Sequence, residues 1–290
     1  MNYLFRKLSI YSADTVVLLF ALFCKIITLN FRLMPSIKQS KSNPIAILGN
    51  GPSLKKDIDT ILLNKSQIDF FVVNYFANTK FFKELKPSHY ILIDPVFWSD
   101  QINENIKNDN DILIKNLLEV DWKMELICGY EGYKKITKLL ASNSNISVKK
   151  IKNNWFDLRS KKANIFALRF FLITPNFVNV LIAAIWYAFI SGRKNIKIYG
   201  ADFSSFKELQ VDQITNRVFT SSSHFYQDSH KLSEVNEKYI GVSPKMINIR
   251  FYQTWMAFTQ MRYLAEVGKV WKVTIKNKSS FSYLDCFNRE

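Results

Sequence analysis

The chain has 290 residues, 48% of them hydrophobic and 15% aromatic, and 40 Lys and Arg against 24 Asp and Glu give a formal charge of +16. This composition excludes a disordered chain and supports one large domain or one domain with appendages. The positive excess points to an anionic partner, either a membrane surface or a phosphorylated or acidic sugar, and its even spread along the chain argues against nucleic acid.

Residues 1–43 form a unit of their own. An apolar run at Thr15–Cys24 is broken by Lys25 and resumes at Ile26–Leu29, with Arg6 and Lys7 before it and Arg32 and Lys38 after it. The uninterrupted part falls short of the roughly 20 residues that a membrane-spanning helix needs. No small-residue cleavage site follows, which argues against a cleaved signal peptide. Two readings stand: a helix lying on the inner membrane surface, or a helix docked on the globular core. The stretch "MPSIKQSKSNP" then reads as a linker.

From Pro44 onward strands and helices alternate. "PIAILGN" is a buried strand, "SLKKDIDTILL" a helix with Leu54, Ile58, Ile61 and Leu62 on one face, and "IDFFVVN" a second strand. "NTKFFKEL" predicts a short helix, "HYILID" a third strand, residues 99–120 a polar-faced helix, "KMELICG" a fourth strand and "EGYKKITKLLA" another helix. "NVLIAAIWYAFISG" is a helix closed by Gly192 that feeds the strand "IKIYGAD". Residues 203–243 are polar, dotted with aromatics and without clear period, which reads as a functional lid. Ser243 and Pro244 open a helix reaching about Val267, followed by a strand at "VWKVTIKN" and a tail. The pattern is α/β: a mostly parallel sheet with helices on both faces, spanning residues 44–290.

In such sheets, ligands bind beyond the carboxyl ends of the strands. Here those ends carry Gly49-Asn50-Gly51, Asn74-Tyr75, Asp94 and Gly200-Ala201-Asp202. The loop "GNGPSLKK" resembles a phosphate cradle in its glycines and in the hydroxyl of Ser53 at a helix start. It lacks the Gly-Lys-Ser/Thr ending of a P-loop, and Leu54 stands where a dinucleotide fingerprint needs its third glycine. ATP or NAD binding by those motifs is excluded; a nucleotide-contacting loop of another type is not.

Among the histidines, His89 sits at the strand end away from this rim and reads as structural. His224 in "SSSHFYQD" is the candidate general base, with His230 as its rival. The triplets "DID" at 57–59 and "DND" at 109–111 fall on helical stretches and read as surface carboxylates, so no metal site is expected. Cys24, Cys128 and Cys286 lie far apart, without CxxC or Cys/His spacing, which fits a reducing cytoplasm with neither disulfide framework nor zinc.

Taken in order, "GNGPSLKKDID", "VVNYFA", a strand-end Asp-Pro, "GRKNIKIYGADF" and "SHFY" resemble the bacterial sialyltransferases of glycosyltransferase family 42, over roughly residues 44–230. The Gly-Asn-Gly-Pro-Ser-Leu loop alone is shared with a wider group that includes motility-associated glycosyltransferases and pyrophosphokinase-like proteins. The resemblance implies a single GT-A-like Rossmann domain and an inverting transfer of sialic acid or a related acidic sugar from a CMP-activated donor to a glycan acceptor. It implies no metal and no cofactor beyond the donor itself. It places Asn50, Gly51, Ser53, Asn74 and Asp202 in the donor site and makes His224 the general base; Gly49, Asp94, Asn179, Gly200 and Tyr226 are further donor-site candidates. The partners it implies are the nucleotide-sugar donor and an oligosaccharide or glycolipid acceptor, at the inner face of the bacterial cytoplasmic membrane, with a homo-oligomer as a possible assembly.

One departure from the family stands out. Ser204 occupies the place of a phosphate-binding tyrosine, and no second tyrosine follows nearby. Tyr226, Lys207 and Arg217 are the candidates to take over that task, and the donor stays open between sialic acid, a related CMP-activated acid such as Kdo, and a different nucleotide sugar. Two rival functions are a nucleotide-dependent pyrophosphokinase-like enzyme and a non-catalytic glycan-assembly protein on the same fold.

Overall fold

Short runs of β-branched and aromatic residues, apolar on both sides, build strands that need cover on both faces. In the computed structural model, which describes residues 3–27, 44–156, 158–221, 225, 232–234 and 247–289, they do so. Strands β1 (Ile45–Leu48), β2 (Asp69–Val73), β3 (His89–Leu92), β4 (Met124–Gly129), β5 (Ile146–Ile151), β6 (Asn195–Tyr199), β10 (Thr274–Asn277) and β11 (Asn288–Arg289) form one parallel sheet. Its order is β11-β10-β6-β1-β2-β3-β4-β5. The α/β class expected from the sequence is the one observed.

The period of two along each strand splits the core into two layers. Ile45, Ile47, Phe71, Ile91 and Ile127 face α6 (Lys161–Arg169), α7 (Val180–Ile190) and α8 (Ile247–Val270). Ala46, Leu48, Val72, Leu92 and Leu126 face α2 (Leu54–Leu63), α3 (Phe81–Leu85), α4 (Glu104–Leu118) and α5 (Tyr133–Leu139). Helix α7 is apolar all round because it lies on the middle of the sheet, with eight of its residues buried.

The chain winds from β1 to β5 in one direction, then returns to lay β6, β10 and β11 on the other side of β1. The strand order therefore reverses at β1, and the crevice of a doubly wound sheet opens at the carboxyl ends of β1, β2 and β6. Residues 203–221 and 232–234 hold a smaller antiparallel sheet of β7 (Leu209–Val211), β8 (Val218–Ser221) and β9 (Leu232–Glu234). The sequence expectation of a stretch without elements is corrected here. Strands of three or four residues are too short to register a period.

Two further elements escape the sequence pattern. Edge strand β5 carries Lys149 and Lys150 on its exposed positions, and α6 has a mixed polar surface. The last helix runs three residues beyond Val267, and the strand expected from Val270 begins only at Thr274, after a turn in which Lys272 takes φ +56°.

Helix α1 (Tyr3–Ile27) docks on the core. Asp14, only 3% exposed, accepts the backbone N–H groups of Arg159 and Ser160 at 2.8 Å each, at the mouth of α6. Charge-assisted bonds of this kind contribute roughly 1.5–3 kcal/mol each. Ala21 is buried, and Phe20 meets Phe156 edge-on at 6.4 Å. Among the described residues, no helix is long and apolar enough to cross a membrane. The expected linker at 34–44 lies outside the described residues except for Pro44, as does the expected cap at Ser243 and Pro244.

Candidate active site

The glycines at the end of β1 are required first by the protein itself. Gly49 donates its N–H to Tyr199 O at 2.8 Å, and Gly51 donates to Gly200 O at 2.9 Å. A Cβ on Gly49 would stand 2.5 Å from Gly200 O, and one on Gly51 would stand 2.3 Å from Asp202 Oδ1. The two strand-end loops are thus in backbone contact, with Gly200 at φ +60°. Replacing Gly51 by Ala is expected to lower stability by about 3 kcal/mol, since neither backbone nor buried carboxylate can retreat. Thermal unfolding checks this; an unchanged midpoint would show that the two loops part freely.

Asp202 is 5% exposed and holds Ser53, also 5% exposed, with both carboxylate oxygens. Ser53 donates its backbone N–H to Oδ2 at 2.9 Å and its hydroxyl to Oδ1 at 2.5 Å. Burial pushes the Asp202 pKa up, Asp57 adds to the rise, and the bonds from Ser53 pull the other way. Ser53 does not line the cavity; its polar groups are spent on fastening the loop to β6.

The tail closes this junction from outside. Ala201 donates to Ser279 Oγ at 3.0 Å, Ser282 donates to Ala201 O at 2.5 Å, and Tyr283 donates to Asp202 O at 2.9 Å. Ser280 donates its N–H to Asp57 at 3.0 Å and its hydroxyl to Ser53 O at 3.3 Å. The sequence offers no signal for this strap beyond a serine-rich tail, because its partners lie about 80 to 230 residues away.

Inside the junction lies a cavity of about 230 Å³, lined by Asn50, Gly51, Asn74, Asn179, Gly200 and Asp202, and by Ser204, Ser205, Glu208 and Thr220 from the other wall. Six residues expected at a donor site therefore share one cavity, whereas Gly49, Ser53 and Asp94 do not line it. Asp94 instead caps the turn after β3, accepting from Val96 N at 3.1 Å. His224, Tyr226 and His230 lie outside the described residues. Phe225 is described: it donates its N–H to Asn50 O at 3.1 Å and buries its ring against Phe76 and Phe81.

Two residues that line this cavity each carry a buried oxygen without a partner among the described residues. Asn50 is 8% exposed; its amide donates to Val73 O at 3.2 Å, and its Oδ1 is buried with no partner. Asn74 sits at φ +51°, uncommon for a side chain other than glycine, and its Oδ1 is likewise buried and unpartnered. A buried carbonyl left unpaired costs about 1–3 kcal/mol, and strained backbone concentrates where ligands are held. Both oxygens are acceptors, so their complement is a ligand with hydroxyl or amine donors.

The third feature is a helix end. Asn179 caps α7, accepting from Leu181 N at 2.9 Å, and Asn179, Val180 and Leu181 line the cavity. The amino end of an eleven-residue helix offers a partial positive charge to an anion there. Beside the cavity, Tyr75 donates to Asn110 Oδ1 at 2.9 Å, and burial, with Asp109 and Asp94 adding, raises its pKa and keeps the phenol neutral.

Two of the three residues expected to replace the missing tyrosine, Arg217 and Lys207, are otherwise engaged. Arg217 forks onto Glu234, Lys207 lies over the ring of Tyr283 at 5.1 Å, and neither lines the cavity. Asp57 and Asp59 are on α2, and Asp109 and Asp111 on α4, so the two acidic triplets stand on separate helices. Among the described residues, no three His, Cys, Asp or Glu side chains converge. His89 lies at the foot of β3, stacked on Phe71 at 4.0 Å.

No family model matches the chain, and no curated protein matches it. Among solved structures, the chain is similar to the MAf glycosyltransferase from Magnetospirillum magneticum AMB-1, with 12% identity and a TM-score of 0.47. The match covers 87% of this chain and 34% of that one, so this chain corresponds to about a third of the neighbour. A likeness this distant assigns no activity.

Proposed function

We propose that the protein is a glycosyltransferase that moves sialic acid or a related acidic sugar from a CMP-activated donor to a cell-surface glycan, with inversion. The observation that carries this reading is the pair of buried acceptors without a partner among the described residues, Asn50 Oδ1 and Asn74 Oδ1, on two residues that line one cavity at the switch point of the sheet. The hydroxyls of a ribose and the amine of cytosine are the donors such acceptors need. The amino end of α7 in the same cavity suits the single phosphate of CMP.

The chemistry requires four things of the chain. Asn50 and Asn74 orient the nucleotide. The head of α7 stabilises the phosphate as it leaves with the bonding electron pair from the anomeric carbon. His224 takes the proton of the acceptor hydroxyl as its oxygen bonds to that carbon on the opposite face. The segment from Phe203 onward excludes water from the activated sugar. Asp202 and Ser53 act through position, by holding the loop that presents Asn50.

A thermal-shift panel of CMP, CDP, UDP, GDP and ATP, each with and without Mg²⁺, tests the reading. Stabilisation by CMP without Mg²⁺ is expected. Stabilisation by ATP only with Mg²⁺ would replace it with the pyrophosphokinase-like function, and no response to any nucleotide would leave the non-catalytic one.

The site of work proposed is the inner membrane surface. While Asp14 and Ala21 bury one face of α1, Val16, Leu19, Phe20 and Phe23 lie on its outer face, each more than half exposed. Their spacing of three and four residues makes a continuous apolar stripe. With a formal charge of +16, the complement is an anionic lipid surface. The protein is expected to sediment with vesicles containing acidic phospholipid and not with purely zwitterionic ones. Leu19→Glu with Phe23→Glu should release it, and sedimentation unchanged by that double variant would remove the stripe from the account.

A further inference from the structure

The cavity continues past Asn179, Ser205 and Thr220 into a second chamber of about 180 Å³, closed on its far side by the first turns of α8. Arg250, in the first turn of that helix, is the cationic residue in its wall, together with Gln253 and Thr254. Its surroundings are unusual for an arginine. Among the described residues its buried Nε has no hydrogen-bond partner, and Nη1 has only Gln253 Oε1, at 3.4 Å. Among the described residues no carboxylate forms an ion pair with it, although arginines on the surface such as Arg217 and Arg262 have theirs. Burial lowers its pKa.

A guanidinium that is half-buried and left without an anion costs the fold stability. The helix that carries it is fixed: Thr254 Oγ1 donates to the Arg250 carbonyl at 2.9 Å, and Ala257 on the same helix is buried against the core. Its fork is the geometry that matches a carboxylate or a phosphate with two parallel bonds. The amino end of α7, at Asn179, opens into the same chamber and adds to the positive potential.

We propose that Arg250 is an anion-recognising residue of a subsite adjoining the nucleotide cavity, which binds either the carboxylate of the transferred acidic sugar or the phosphate that leaves with the nucleotide. This rests on the glycosyltransferase reading of the main cavity. It supplies the cation that the expected positions, Lys207 and Arg217, do not bring to the site.

The test compares the full-length wild type with Arg250→Lys and Arg250→Met. Affinities for cytidine, CMP, CMP-N-acetylneuraminate and inorganic phosphate are measured by calorimetry, and unfolding midpoints are measured without ligand. Arg250→Met is expected to bind cytidine as the wild type does. It should lose about tenfold or more in affinity for the anionic ligand that the arginine meets, and Arg250→Lys should lose less. A loss already present with CMP and phosphate assigns the phosphate; a loss confined to CMP-N-acetylneuraminate assigns the sugar carboxylate. Because Met removes a half-buried charge that has no ion-pair partner among the described residues, the ligand-free midpoint should stay level or rise. Wild-type affinities for every anion in Arg250→Met would overturn the proposal, as would a midpoint lowered by several degrees with anion binding intact. If the wild type binds phosphate and no cytidine compound, the nucleotide reading fails while the anion subsite stands on its phosphate result. If it binds neither phosphate nor any cytidine compound, both fall.

Discussion

A His224→Ala variant is expected to retain wild-type affinity for CMP and to lose transfer by about 10²–10⁴-fold. The separation follows from the division of labour in the proposed site. The groups available to a nucleotide are Asn50, Asn74 and the head of α7, and all are present without the imidazole. An acceptor alcohol holds its proton tightly at neutral pH and attacks efficiently only when a base takes it in the transition state. Phe225, the next residue in sequence, is fastened to Asn50 O, so the substitution leaves an anchored neighbour in place. His230→Ala serves as the control and should change turnover little. The measurements are calorimetric CMP affinity and transfer to a glycan acceptor. Unaltered turnover in His224→Ala would sink the assignment of the base, and a reversed pair of results would pass it to His230.

The second large effect concerns Asp202, where removal and neutralisation should differ. Asp202→Ala strips both acceptors from Ser53 and is expected to cost roughly 3 kcal/mol of stability. It should also weaken nucleotide binding by at least about tenfold, because the loop carrying Asn50 loses its brace. Asp202→Asn can keep both contacts, its carbonyl oxygen accepting from Ser53 N and its amide donating to Ser53 Oγ. The fold and the nucleotide affinity should therefore survive. The pH dependence gives a further check. The folded pKa of Asp202 is raised above 3.8, chiefly by burial. A raised folded pKa favours the protonated native state, so this contribution is full at low pH and is lost as pH rises through the folded pKa. Unfolding midpoints of the wild type should accordingly fall relative to Asp202→Asn as pH climbs above about 4, the unfolded value. If Asp202→Asn instead matches Asp202→Ala in lost nucleotide affinity, the carboxylate acts on the ligand and not only on Ser53.

The behaviour of these residues separates what a sequence can state from what folding adds. The strands β1, β2, β3, β4 and β6 are legible because each is a short apolar run ended by small or polar residues, a property of five to seven neighbours. The alternation of those runs with amphipathic helices determines a parallel sheet covered on both faces, and hence the rim at which Asn50, Asn74 and Asp202 stand. The glycines at 49 and 51 were readable as a place of close approach, but the sequence could not say what approaches. The tertiary structure decides that it is the β6 loop, at Gly200 and Asp202, about 150 residues away. It likewise turns Ser53 from a ligand hydroxyl into a brace, brings the serines of the tail across the junction, and leaves Arg250 beside the cavity with no ion-pair partner among the described residues. Local pattern records which side chains avoid water. Which polar groups find partners, and which are left waiting for a ligand, depends on contacts between distant segments that exist only once the sheet has closed around β1.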